Sequence, residues 1–456
     1  MLTMADSKPQ LFGTDGVRGR AGAFPLDPRT LAKLGRAIAR VLRRRSAEPR
    51  LRVVLGQDTR ESGDWIAREL AGGFRAENVD VVSAGVITTP GIAYLTRRGG
   101  FAAGVVISAS HNPYEDNGVK VLAATGMKLA ESAEVEIERE LASLESAIGE
   151  PPAPLDPRPE LLDDYLDFLA GLLPPALRPR ADGLVLDCAH GAASRVVPRL
   201  LEWLGIQARV LNAAPNGRNI NVDCGSLYPE GMAAETRARG AALGVAFDGD
   251  ADRAIFATRE GRIADGDHVL YAAAKFLHAR GQLKGGAVVG TLMTNLGLEL
   301  ALQRLGIGLK RTPVGDKYVL EEMLRSGANL GGEPSGHIIF SDVSLAGDGL
   351  VTWLEVLRLV AETGRPFGEL VADLRQCPQI ITNVRVREKP PLSSISTVAE
   401  VIAECEREFA GRGRVVVRYS GTERLARVMV EAEDAAAVDR HAARIAAAIR
   451  EALGAE

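Results

Sequence analysis

Residues 104–120 read Gly-Val-Val-Ile-Ser-Ala-Ser-His-Asn-Pro-Tyr-Glu-Asp-Asn-Gly-Val-Lys. The apolar run Val105-Val106-Ile107 has the length and branching of a buried strand. It stops at Ser108-Ala109-Ser110-His111-Asn112-Pro113, where Asn-Pro opens a turn and Pro113 cannot extend a ladder. Two hydroxyls and an imidazole therefore fall on a loop at a strand's carboxyl end, where α/β sheets hold their ligands. A hydroxyl that accepts and donates a phosphoryl group needs a rigid platform, a proton acceptor and something to neutralise phosphate charge. Ser110, with His111 beside it and Lys120 further on, could supply the first two; the third must come from elsewhere. A plainer reading, that Ser108 or Ser110 caps a following helix, stays open on these residues alone.

Outside that stretch, a chain of 456 residues is too long for one core and implies about three or four domains. Its 46% hydrophobic and 25% charged residues are those of a soluble globular protein. A net charge of −4 gives no electrostatic reason to expect a nucleic-acid partner. Cys188, Cys224, Cys377 and Cys405 form no CxxC pair and no zinc spacing, and read as reduced, mostly buried thiols. No apolar run reaches membrane-spanning length and no signal-peptide core follows Met1, so a cytoplasmic location without membrane partners is expected; Met1 to Pro9 reads as a tail.

One coarse plan recurs three times: strand, polar loop, helix, strand, loop, strand, functional loop. The expected strands are 51–55, 79–82 and 105–107, then 184–186, 208–211 and 243–247, then 287–289, 308–310 and 328–330. Helix-length separations indicate crossovers and largely parallel sheets. The proline-rich 149–157 marks a first boundary, followed by a helix carrying Leu162, Tyr165, Leu166 and Leu169 at helical spacing. The expected domains are 1–150, 159–259, 260–376 and 378–456. The last departs from the plan, with strands at 380–386, 414–419 and 426–431, a helix near 397–410, and a terminal helix striped with Val438, Ala442, Ile445 and Ile449.

Each third strand ends in a different polar tip. The second tip, Asp248-Gly-Asp250-Ala-Asp252-Arg253, sets three carboxylates at alternate positions, which converge only around something positive. Three carboxylate oxygens leave room for a non-protein oxygen, which suits Mg²⁺. An EF-hand loop is excluded, because Gly and Glu are missing from its sixth and twelfth positions. A phosphatase with an aspartate nucleophile and a merely solvated turn remain alternatives. The third tip, Gly332-Glu333-Pro334-Ser335-Gly336-His337, presents a carboxylate and a hydroxyl suited to sugar hydroxyls, or it is an ordinary tight turn. The stretch Arg418-Tyr-Ser420-Gly421-Thr422-Glu-Arg424-Leu-Ala-Arg427 can turn backbone N–H groups inward as an anion nest, with guanidinium donors for phosphate; a hairpin with surface arginines competes. Near the N-terminus, Phe12-Gly13-Thr-Asp15-Gly16-Val-Arg18-Gly19 reads as a glycine-rich loop without the ending of a nucleotide-binding P-loop. Arg18 is its candidate for holding phosphate near Ser110.

Together these motifs, with Pro215–Gly225, resemble the α-D-phosphohexomutase superfamily, and within it the phosphoglucosamine mutase branch. The branch rests on Ser108, on Asn219–Ser226 and on the segments 290–299 and 314–319. Two positions depart from the pattern, Pro334 (usually Gln or Asn) and Arg424 (usually Pro). The resemblance implies four domains around a central cleft: three related mixed α/β three-layer domains and a smaller C-terminal α+β domain. It implies Ser110 as phosphoserine and as a ligand, with Asp248, Asp250 and Asp252, of one Mg²⁺. His111 and Lys120 would assist proton transfer, with Arg18 also in the catalytic set. Arg253, Glu333, Ser335 and His337 would bind the sugar phosphate, and Arg418, Ser420, Gly421, Thr422 and Arg427 its far phosphate. The implied reaction interconverts glucosamine 6-phosphate and glucosamine 1-phosphate through glucosamine 1,6-bisphosphate. A phosphomannomutase or phosphoglucomutase, a non-catalytic sugar-phosphate-binding protein, and assembly into a homodimer are left open.

Overall fold

The computed structural model describes residues 9–454 apart from 14, 47, 145–151, 182 and 421–423, and not the side chains of 179–181. The tail at 1–8, part of the proline-rich boundary and the Gly421-Thr422 pair lie outside the described residues.

Among the described residues the strands form sheets of six, five, four and three. In the first three sheets the earliest strand of a parallel trio lies in its middle. Arg52–Gln57 sits between Asp80–Val86 and Ala103–Ile107. Leu184–Asp187 sits between Ala208–Leu211 and Leu243–Phe247. Ala287–Thr291 sits between Gly308–Thr312 and Leu330–Gly332. Parallel neighbours need crossovers, and helices such as Gly63–Ala76, Ala193–Leu204 and Leu296–Gln303 provide them. The repeat read from pattern is thus a repeat of topology.

Each third strand ends in its polar loop, and the chain then returns on an antiparallel strand: Asp116–Ala123, Ala254–Ala257 or Ile338–Phe340. These returns correct the expectation of largely parallel sheets. Each follows its loop directly, so the sequence has no helix-length gap to announce a new strand. The third strand of the third sheet is also displaced, to Leu330–Gly332 rather than 328–330. Phe12–Gly13 and Gly16–Arg20 pair antiparallel, and the second lies along Asp116–Ala123, so strands replace the expected glycine-rich loop. The helix-cap reading of Ser108 and Ser110 fails as well, since a strand follows them.

One apolar core runs from Ile87, Ile92 and Leu95 through Tyr165 and Leu166 to Leu186, Phe247 and Trp353, joining the first three sheets. At that junction Tyr94 and Phe168 stack with ring centroids 4.4 Å apart. The three-stranded antiparallel sheet Gln379–Arg385, Leu425–Ala432 and Gly413–Tyr419 packs with helices Ser396–Phe409 and Ala435–Leu453 around a core of its own. Asp434 caps the terminal helix at Ala436 N–H, and its predicted stripe is buried. Each Val or Ile in that stripe contributes about 1.5–3 kcal/mol. Arg414 of this unit donates to the Thr294 carbonyl beside the third sheet at 3.0 Å, and Cys377, where the chain leaves the third domain, exchanges bonds of 2.8 and 3.0 Å with Asn295. All four cysteines are free and buried, and no helix among the described residues is long and apolar enough to cross a membrane.

Candidate active site

Ser110 sits at the end of the buried strand Ala103–Ile107 with a left-handed backbone, φ +52°. Non-glycine residues adopt that region at a cost of order 1–3 kcal/mol, and only where the surroundings over-determine it. Its Oγ donates to Asp248 Oδ2 across 2.6 Å and lies 3.2 Å from His111 Nδ1. Its carbonyl accepts from Asn221 Nδ2 at 3.0 Å, so two different sheets contribute to one loop. The close approach requires glycine at 249, where a Cβ would stand 2.5 Å from the Ser110 carbonyl oxygen.

Asp248, Asp250 and Asp252 each bring a carboxylate oxygen within 4.8 Å of the others. All three are buried, and Asp250 Oδ1 and Asp252 Oδ1 have no hydrogen-bond partner. Burial, then the charges of Asp252 and Asp250, push the Asp248 carboxyl well above its ordinary range. Burial would raise Asp252 too, but the hydrogen bond and charge of His337, with Lys120 and Arg253, hold it low. Orphaned carboxylate oxygens crowded around one point are what a hard divalent cation resolves. The residues present therefore fit a metal ion.

Lys120 is buried 2.8 Å from Asp250 Oδ2 and 2.9 Å from Asp15 Oδ2. Burial alone would lower its pKa, but Asp15, Asp250 and Asp252 raise it well beyond the usual lysine value. As placed, Lys120 is a cation rather than a proton acceptor. His111 is the reverse: burial, Arg253 and Arg18 lower it to about 4, leaving a neutral imidazole against Ser110.

The groups around this centre form a ring that the sequence reading did not assemble. Asp15 pairs with Arg18, Lys120 and Lys128. Lys128 reaches Asp316 at 2.8 Å, and His337 lies 3.7 Å from Asp316 and 3.5 Å from Asp252. Thr89 Oγ1 donates to Asp250 Oδ2 at 2.6 Å. Asp15 and Asp316 lie inside quoted motifs, so their carboxylates were available as a signal. Thr89 and Lys128 had none, because only tertiary folding brings them here.

Arg18, His111, Asp252, Arg253, Glu333 and His337 line a cleft of about 400 Å³ between the first three sheets. Gly315 N–H donates to Glu333 Oε1 at 3.1 Å and orients that carboxylate. Ser335 is on the same loop but does not line the cleft, and its buried Oγ has no partner. Arg418 and Arg427 stand directly opposite on adjacent strands, and like charges so placed favour an anion between them. Ser420 closes that hairpin end, its N–H donating to Leu425 O at 2.8 Å and its carbonyl accepting from Lys389 at 2.7 Å. None of these last-unit residues lines the cleft.

Four family models match in chain order. They are phosphoglucomutase/phosphomannomutase α/β/α domain I at 9–147, domain II at 163–261, domain III at 265–377 and the C-terminal domain at 381–448. The chain belongs to the phosphoglucomutase/phosphomannomutase family. It is 49% identical to the phosphoglucosamine mutase of Koribacter versatilis over 99% of each chain. It is 48% identical to that of Solibacter usitatus, over 97% of this chain and 99% of the relative. The crystal structure of a phosphoglucomutase/phosphomannomutase family protein from Burkholderia thailandensis shares its fold, with TM-score 0.78 and 24% identity over 97% of each chain. The expected four-domain architecture of this family is therefore the one observed.

Proposed function

We propose that the cleft moves a phosphoryl group between O6 and O1 of glucosamine phosphate, with Ser110 as the covalent carrier. The chain is an isomerase of the phosphohexomutase type, and its substrate is read from its similarity to phosphoglucosamine mutases at 49% and 48% identity. The observation that carries the reading is the 2.6 Å contact between Ser110 Oγ and Asp248, made across two sheets beside three clustered carboxylates.

Phospho-Ser110 gives its phosphoryl group to the free hydroxyl of the bound sugar phosphate, whose proton passes to a neighbouring base. His111 is the neutral group at hand. The Ser110–phosphorus bond breaks as the sugar–phosphorus bond forms, giving glucosamine 1,6-bisphosphate. That intermediate turns end for end, and Ser110 Oγ takes the other phosphoryl group as its bond to the sugar oxygen breaks, that oxygen taking back the proton held by the base. Lys120 and Arg18 supply fixed positive charge beside the transferring group, the main source of catalysis in phosphoryl transfer. Asp248, Asp250 and Asp252 would hold Mg²⁺, which when bound neutralises charge on the phosphoryl oxygens. Glu333 faces the cleft and is suited to sugar hydroxyls, with Ser335 beside it. The Arg418–Arg427 hairpin suits the non-reacting phosphate, and it reaches the ligand when the last unit swings over the cleft.

Intact-protein mass tests the carrier: a phosphoryl group on the parent chain and none on Ser110→Ala is the expected pair. Turnover of glucosamine 6-phosphate against mannose 1-phosphate and glucose 1-phosphate tests the sugar. A clear preference for a neutral sugar would move the reading to phosphomannomutase or phosphoglucomutase, and no turnover in the presence of bisphosphate would leave a binding protein.

A further inference from the structure

Arg60 lies just beyond the strand Arg52–Gln57, and its charged end is wholly buried beside Asp58. A guanidinium carries five N–H donors in a fixed fork. All five are engaged here. Nε donates to Asp58 Oδ2 at 2.9 Å. Nη1 donates to the carbonyls of Pro113 and Asp116, and Nη2 to those of Ser110 and Asn112 at 2.9 and 2.8 Å. One side chain therefore holds four backbone carbonyls of the loop that carries Ser110.

The same ion pair also grips Ser110 from its other side. Asp58 Oδ2 accepts from Ser108 Oγ at 2.6 Å, and Ser108 Oγ accepts from Ser110 N–H at 2.9 Å. Both backbone polar groups of Ser110 thus lead back to Asp58–Arg60. This is the residue whose φ of +52° must be imposed from outside. A buried ion pair is not an economical way to stabilise a core, where apolar side chains serve as well or better. It is suited to fixing geometry.

We propose that Arg60 is the positioning residue for phosphoryl transfer: its guanidinium, locked by Asp58, sets the conformation that aims Ser110 Oγ at the carboxylate cluster. The inference rests on the mutase reading of Ser110. Lysine cannot substitute, because an ammonium offers three donors from a point and no planar fork.

The test compares full-length parent, Arg60→Lys and Arg60→Gly chains in steady-state kinetics and amide hydrogen exchange. Misplacing a reacting atom by about 1 Å costs about 100-fold in rate. Arg60→Lys should therefore lower kcat about 100-fold while KM stays within about threefold, the split expected when transition-state geometry alone is lost. Exchange should rise at 108–116 and stay level elsewhere. Free guanidinium added to Arg60→Gly should restore both turnover and protection, and methylammonium should restore neither. An Arg60→Lys chain with parental kcat and parental exchange at 108–116 would overturn the proposal. So would exchange rising evenly along the chain with no guanidinium rescue, which marks loss of general stability. A parent that moved no phosphate on any hexose phosphate would bring down the mutase reading alone, because exchange at 108–116 still judges the clamp.

Discussion

Lys120, on a strand of the first sheet, and Asp250, on the loop after Leu243–Phe247 of the second, meet at 2.8 Å, and both are buried. The pair gives the carboxylate cluster a cation that desolvation does not neutralise, since Asp15 and Asp252 reinforce it. Lys120→Met is expected to reduce kcat about 10²- to 10³-fold, the range seen for removal of a preorganised charge-stabilising group. Lys120→Arg should not restore it, because a planar fork does not fit a site built for a compact ammonium. Single-turnover transfer from phosphorylated enzyme to sugar phosphate is the measurement.

The carboxylate cluster predicts linked uptake of metal and release of protons. Burial and its two neighbours raise the Asp248 pKa, and this couples binding of a divalent cation to loss of protons. Metal affinity should therefore increase as pH rises. Titration calorimetry with Mg²⁺ in buffers of different ionisation enthalpy should report proton release. Asp248→Asn should remove that release and, with Asp250→Asn, abolish activity that the parent recovers when Mg²⁺ follows a chelator.

Asp348 offers a pH test away from the cluster. Its buried carboxylate caps the helix Gly349–Thr363 and accepts from the Tyr165 hydroxyl at 2.6 Å. Burial raises it from 3.8 to about 6, against the hydrogen bonds from Tyr165, Val351 and Leu350. A carboxylate raised in the folded state contributes stability that is full below the unfolded value and is lost as pH climbs through the folded one. From pH 4 to pH 7 the parent should therefore lose about 2 kcal/mol relative to Asp348→Asn. Urea unfolding of both proteins across that range checks the difference.

The cross-strand pair Arg418 and Arg427 predicts a binding effect rather than a chemical one. Removing one charge-assisted hydrogen bond to phosphate costs about 1.5–3 kcal/mol. Arg418→Met should raise KM for the sugar phosphate about 10- to 100-fold with a smaller change in kcat. Higher salt should weaken binding in the parent more than in the variant.

The site residues most legible in the sequence are those carried on short, chemically unusual loops. Ser110, the three aspartates and Glu333 each follow an apolar strand, and a strand end has only one place to point. Their topological repeat was visible for the same reason, as apolar runs separated by helix-length segments. The antiparallel returns were not visible, because Ile338–Phe340 begins immediately after His337 and offers no break in pattern. Nor were Thr89, Lys128 and Arg60. Each is an ordinary residue locally, and its role comes from what the assembled sheets place against it. Pattern reports what a segment buries; it does not report which distant carbonyl a guanidinium will find.

The final unit's own core has a mechanical consequence. Because its apolar side chains are buried in a core of their own, a displacement of this unit would leave that core intact. A hinge ahead of Gln379 could thus turn the Arg418–Arg427 strand pair as one rigid piece.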